Sequence, residues 1–369
     1  MVRHPFEESE WEGLIGPSDA FDPQNRANPS VYAIQNHLAL EVMAHLTGAA
    51  VPILFQGGTA LHVKLGDRTR FSIDLDLKTT DPSAVHADLR EFAARFGGSQ
   101  VLLVEPPREL RVEGVRHTMV FSRTMDEVTP APLRILVEVV EMEHVNGEAE
   151  PLTVQADGFD WGVKALTPTF EGFAAQKFAT IGPETIGKRV GRNTTCARGN
   201  QGICKQIYDL TQLLRRDLDG NRILQAYHRE VSESNRLRHS AFNDEEVLRD
   251  ASGLLRALKE PRPEGTEDLY AYGLWSGYDD SRRWIRGRRE WTEASYRISG
   301  GVLSRVAQEM LRGRLRWRLV GRPVAVDRVP EPTSTRLNSA LVSGDSWVAS
   351  DGFAGDLRIA WAWSPEEFW

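Results

Sequence analysis

Gly57-Gly58-Thr59-Ala60-Leu61, followed shortly by Arg70-Phe71-Ser72-Ile73-Asp74-Leu75-Asp76-Leu77, decides how this chain is read. The run VPILF (51–55) ahead of the glycines is continuously apolar, as a short buried strand is. Gly57 and Gly58 read as a tight turn, TALHVKLG (59–66) as a short helix, and FSIDLDL (71–77) as an alternating strand. Alternation on an extended chain puts Asp74 and Asp76 on one face and Ile73, Leu75 and Leu77 on the other. Two carboxylates at i and i+2 can share a hard cation such as Mg2+, which takes oxygen ligands and bridges to substrate phosphates. Glycines let backbone N–H groups approach a triphosphate closely, and Thr59 adds a hydroxyl. A lone Asp-x-Asp on a strand is more often a solvated face. The Gly-Gly-Thr turn before it changes the reading to a metal site with a triphosphate cradle.

Around this device the periodicities predict a helix over 31–47, capped by Ser30 and closed by Gly48, and a second helix from Asp81-Pro82 to Phe96. VLLVE (101–105), LRVEGVRHTMVFS (110–122) and LRILVEVVEM (133–142) read as strands, so the first half follows an α+β or α/β pattern. After Thr167-Pro168 the pattern turns helical: TFEGFAAQKFATI (169–181), then 202–217, 219–234 and 243–258. Residues 182–201, rich in Gly, Arg and Thr, read as a loop. A Pro-rich break at 261–265 precedes more helix over 267–320 and a strand-like tail.

Arg134-Ile135-Leu136-Val137-Glu138-Val139 supplies a third carboxylate on a strand, with Glu141 as the alternative. The two point to opposite sides, so only one can reach a site on a given face; Glu138 sits in the more apolar run. Glu171-Gly172-Phe173-Ala174-Ala175-Gln176-Lys177 places a lysine late in a helix, and Gln206-Ile207-Tyr208-Asp209-Leu210 places an aspartate in another. In this order the pieces resemble the AbiEii/AbiGii-type nucleotidyltransferase toxins, including the MenT group, within the DNA polymerase β-like nucleotidyltransferase superfamily. The resemblance spans residues 50–215. It implies an α+β fold, a mixed sheet with flanking helices, with residues 1–166 as the nucleotidyltransferase core and 167–260 as a helical domain completing the active site. The residues after 215 lie beyond the resemblance, and composition alone marks 261–369 as an Arg/Trp-rich C-terminal extension.

The resemblance also implies roles. Gly57, Gly58 and Thr59 would hold the NTP phosphates, with Arg70 and Ser72 flanking them. Asp74, Asp76 and Glu138 would hold two Mg2+ ions, and Glu138 could help deprotonate an acceptor hydroxyl. Lys177 would meet the β- and γ-phosphates, and Asp209 would orient Lys177 or the nucleotide. The implied acceptor is RNA, foremost the 3′ end of tRNA, and the implied biology is a toxin with a cognate antitoxin. A protein or small-molecule hydroxyl is the alternative acceptor, and a catalytically silent nucleotide-binding module the alternative outside enzymes. The turn departs from the superfamily's usual Gly-Ser, and the third carboxylate is Glu rather than Asp.

Gly182-Pro183-Glu184-Thr185-Ile186-Gly187-Lys188-Arg189 nearly spells a phosphate-binding loop, but Arg189 replaces the required Ser or Thr and a helix rather than a strand precedes it. The net charge of −7 argues against coating by nucleic acid. Charge is uneven, however: from Ser281 to Arg322 twelve arginines face three acids. Arg282, Arg283, Trp284, Arg286, Arg288 and Arg289 interleave cations with an aromatic, a pattern suited to phosphates and unpaired bases. Cys196 and Cys204 are too few for a disulfide framework and wrongly spaced for zinc. With no apolar run of membrane-spanning length and a polar start, MVRHPFEESEWEG, the expected compartment is the cytoplasm.

Overall fold

The computed structural model describes residues 29–49, 51–66, 70–72, 74–95, 100–104, 115–122, 133–143, 148–156, 159–191, 194–258, 269–282, 285 and 291–315. The strand-like tail and the break at 261–265 lie outside these. The chain divides into two compact units, Met1–Thr169 with Arg283–Arg286, and Phe170–Arg282 with Gly287–Trp369.

The first unit is α+β. Its elements are α1 (Pro29–Leu46), β1 (Ile53–Gln56), α2 (Gly57–Leu65), β2 (Leu75–Thr79), α3 (Pro82–Arg95), β3 (Gln100–Val104), β4 (Val115–Ser122), β5 (Leu133–Glu141), β6 (Ala149–Ala156) and β7 (Phe159–Pro168). Among the described residues the strands form one seven-stranded mixed sheet, ordered β3-β4-β5-β2-β1-β7-β6. β2 lies at its centre, antiparallel to β1 and parallel to β5. Leu75, Leu77, Val137 and Val139 are buried along one face, and α1 packs on β5 and β7 while α3 packs on β3 and β4. The other face carries Asp76, Lys78 and Glu138, as strand alternation requires.

Two sequence expectations need correction here. β2 begins at Leu75, so Asp74 sits just before the strand rather than within it. The hairpin β6–β7 is an addition that the sequence pattern did not suggest. Its outward half is solvated, with Pro151 in β6, a register shift between Thr153 and Gln155, and Gly162 at φ 67°. These features blur the period-two signal on which strand reading rests.

The second unit is helical: α4 (Phe170–Ala179), α5 (Thr194–Leu213), α6 (Gly220–Arg238), α7 (Asp244–Ala257), α8 (Leu269–Ser281) and α9 (Glu293–Leu311). Its helix starts are written locally. The Asp219 side chain accepts from Asn221 N and Arg222 N at the start of α6, and Asn243 and Glu246 form a capping box on α7. Such caps stabilise by about 1 kcal/mol each.

α5 begins at Thr194, so the expected loop over 182–201 is shorter than read. Glycine inside a helix costs roughly 1 kcal/mol against alanine, which is why the stretch with Gly199 reads as loop and the helix is expected only from Gly202. Tertiary packing overrides that propensity. A Cβ on Gly199 would overlap the Arg189 carbonyl, and one on Gly202 would meet Lys188 Cδ at 2.6 Å. Asn200 also receives Gly191 N at 3.0 Å and donates to Gly191 O at 2.7 Å. The preceding loop therefore lies directly on the bare helix surface.

Among the described residues no helix is long and apolar enough to cross a membrane. The buried Cys204 thiol contacts the Tyr296 hydroxyl at 2.7 Å and donates to the Leu274 carbonyl. Burial pushes this thiol up to about 12, with Asp279 and Asp280 adding to the rise and the Tyr296 contact opposing it. Thiolate, not thiol, is the nucleophile. In a Cys196→Ser variant, native Cys204 should stay unreactive toward a disulfide reagent at pH 8 and react fully once urea unfolds the chain. Rapid native labelling at pH 8 would contradict this burial.

Candidate active site

The strand β1 runs directly into α2 through Gly57, whose φ of 71° lies in the left-handed region open to glycine. Gly57 answers a second demand as well. A Cβ there would overlap the Asp76 carboxylate, so the missing side chain is the space that the carboxylate occupies. Gly58 plays the same part for the next strand segment: a Cβ on it would lie 2.6 Å from both Arg70 Nη2 and Ser72 Oγ. Thr59 is buried, and its hydroxyl donates to the Asp74 carbonyl at 2.6 Å. The Gly-Gly-Thr turn thus grips the Asp-x-Asp segment residue by residue.

These contacts bring Gly57, Gly58, Thr59, Arg70, Ser72, Asp74 and Asp76 into one locality of the first unit. Asp74 is exposed and Asp76 half-buried. Gln56, at the cap position of α2, makes no side-chain cap, so the first-turn N–H groups of α2 are not taken by that residue. The positive end of the helix and the Arg70 guanidinium both favour an anion at this point.

Asp76 is the register partner of Glu138 on the parallel strand β5, and of Gln56 on β1. Register partners on adjacent strands project from the same face, at a spacing of about 4.8 Å between strands. Glu138 therefore shares the Asp76 face, whereas Glu141 is in register with Thr79 on the other parity. Lys78, a buried cation two residues beyond Asp76, lies on the carboxylate face too. The sequence reading passed over it, although the Asp-x-Lys spacing (76–78) marks it.

Among the described residues no group of three His, Cys, Asp or Glu side chains converges as a metal cluster. The donor set still fits a hard divalent ion. Mg2+ is commonly held by one or two carboxylates, with water and substrate phosphate completing its octahedron. The cradle under Asp76 that only glycine leaves open fixes one such carboxylate.

In the second unit, α4 and α5 bring Lys177 and Asp209 together. Lys177 Nζ lies 2.9 Å from Asp209 Oδ2, and both side chains are buried, Asp209 at 0% exposure. The near-match to a phosphate-binding loop is otherwise engaged. Glu184 N and Thr185 N donate to Asp250 Oδ2, Gly187 N to Gly182 O, and Lys188 N to Thr180 O. Its amides bind the protein itself, in keeping with the rejection of that motif. Burial raises the Asp250 carboxyl above its usual range, opposed by its bonds to Thr185 and Glu184. Arg282 closes α8 with its guanidinium 5.8 Å from the Tyr278 ring centroid. Arg283, Trp284, Arg286, Arg288 and Arg289 lie outside the described residues. Asn36, missed in the sequence, donates from α1 to the Ser72 carbonyl. A polar residue on a buried helix face gives no sign of its partner.

Residues 41–281 match the family model for "Nucleotidyl transferase AbiEii toxin, Type IV TA system". The chain belongs to the AbiEii nucleotidyltransferase toxin family. Membership makes it a nucleotidyltransferase and implies an NTP substrate and an antitoxin partner. JHP933 from Helicobacter pylori aligns at 14% identity and a TM-score of 0.40, covering 84% of this chain and 97% of that one. A putative nucleotidyltransferase from H. pylori aligns at 15% identity and a TM-score of 0.31, covering 59% and 91%. No curated protein matches the chain.

For this AbiEii-family chain the buried pair gives a direct stability test. Breaking a buried ion pair from one side leaves a charge without its partner and costs about 3–5 kcal/mol. Asp209→Ala should destabilise the chain by that much in urea unfolding, and Lys177→Met with Asp209→Leu should recover most of the loss. Additive losses in the double variant would contradict a pair that matters as a unit.

Proposed function

We propose that the chain transfers a nucleoside monophosphate from an NTP to RNA, with the tRNA 3′ end as acceptor, in a Mg2+-dependent reaction. The observation that carries the reading is the register of Asp76 with Glu138 beside the glycine-gripped start of α2. Carboxylates that share a sheet face beside a helix N-terminus are what a metal-bound triphosphate needs.

In this reading Asp74, Asp76 and Glu138 hold the metal, which when bound neutralises charge on the phosphates. The N–H groups of Gly57, Gly58 and Thr59 donate to the phosphate oxygens, and the Thr59 hydroxyl keeps the Asp74 segment in place. Arg70 and Ser72 contact phosphate beside Gly58. The acceptor's terminal hydroxyl oxygen forms a bond to the α-phosphorus, the α–β bridging bond breaks, and pyrophosphate leaves. Glu138 assists removal of the hydroxyl proton. Lys177, oriented by Asp209, supplies positive charge to the β- and γ-phosphates. Growth arrest would follow from capped tRNA, relieved by the cognate antitoxin.

The test is transfer itself. With Mg2+, each of four α-labelled NTPs, and total tRNA or a protein extract, the wild type should label tRNA and the Asp74→Ala variant should not. Chelation of the divalent ion should stop the reaction. Label in protein instead would move the acceptor to a protein hydroxyl, and label unchanged in Asp74→Ala would remove the metal site from the account.

A further inference from the structure

The segment leading into Asp74 is held from a remote part of the chain. Arg70 forms an isolated antiparallel bridge with Ile285, and Ile285 is 2% exposed. Ile285 lies beyond the span 41–281 that matches the family, yet it belongs to the first compact unit. A residue of the C-terminal part is therefore built into that unit.

What it touches is not peripheral. The Arg70 side chain is buried; its Nη1 donates to the Phe71 carbonyl at 3.0 Å and its Nη2 lies against Gly58 at the start of α2. A guanidinium is a planar fork whose usefulness depends on direction, and a fork aimed at a phosphate must be set by its backbone. Thr59 holds the segment at Asp74 and Asn36 holds it at Ser72. The bridge to Ile285 holds the main chain at Arg70, and the burial of the Ile285 side chain keeps it seated.

We infer that Ile285 is a positioning residue for nucleotide binding. It acts through Arg70, by fixing the backbone that aims the guanidinium at the NTP phosphates next to Gly58. Part of the extension that follows the family core is thereby an element of the nucleotide site and not only a carrier of arginines. The inference rests on the proposed contact between Arg70 and phosphate.

A double-mutant cycle on the full chain separates this from simple structural support, because residues acting through one another give non-additive effects. Equilibrium dialysis with Mg2+ and each of the four labelled NTPs, without acceptor, measures nucleotide affinity for the wild type, Arg70→Ala, Ile285→Ala and the double variant. Arg70→Ala should weaken the best-bound NTP on the order of tenfold, as loss of a hydrogen bond to a charged group does. Ile285→Ala should weaken it severalfold, Ile285→Val should restore it, and the double variant should bind no worse than Arg70→Ala alone. Thermal unfolding of each variant shows whether the fold persists; if Ile285→Ala does not fold, Ile285→Val and Ile285→Leu carry the cycle. A loss from the Ile285 change that persists undiminished without Arg70 would overturn the inference and leave the proposed phosphate contact standing. Unchanged affinity in Arg70→Ala would sink that contact, and the inference with it.

Discussion

Everything in the first unit is arranged around the approach of the Asp76 carboxylate to the α-carbon of Gly57. That approach needs a residue without a side chain, in a left-handed conformation, at the joint between β1 and α2. It also needs β2 at a fixed register between β1 and β5, because a slip of one residue would turn Asp76 to the apolar face. The register is enforced from that face: Leu75, Leu77, Val137 and Val139 are all buried, and none could be turned outward without exposing apolar surface. The core thus decides where the carboxylates stand, and the chemistry inherits the precision of the packing.

The second unit shows the same dependence in another form. Lys177 and Asp209 are a buried charged pair, and a buried charge is costly unless it is paired. Around them, Gly199 and Gly202 give up helix propensity on α5 so that the chain following α4 can lie against the helix. In both units the residues that look weakest by local propensity are those through which two segments come into contact.

How much of this was legible in the sequence follows from which signals are local. The apolar run before Gly57 and the alternation through Leu77 marked the strand–turn–helix–strand core. The patterns over 219–234 and 243–258 located two helices that the structure starts at Gly220 and Asp244, capped by Asp219 and Asn243. The preference for Glu138 over Glu141 rested on parity and composition, and the register with Asp76 puts Glu138 on the carboxylate face. The hairpin β6–β7 was not legible because Pro151 and Gly162 interrupt a half-solvated alternation, and the early turns of α5 because glycine there serves packing and not the helix. Lys177 was found only by resemblance, since a buried ion pair between helices leaves no spacing to read. Asn36 and Ile285 could not be found at all, because their partners lie far along the chain.

The central claim is that the carboxylate face of β2 and β5 holds a divalent ion together with the triphosphate. The most direct measurement is a Mn2+ titration followed by electron paramagnetic resonance, in the presence of an NTP analogue whose α–β bridge cannot be cleaved. The account predicts that the wild type binds the ion in the ternary complex, that Asp76→Asn and Glu138→Gln each weaken it on the order of tenfold or more, and that Glu141→Gln does not. Equal Mn2+ affinity in the wild type and Asp76→Asn would contradict it.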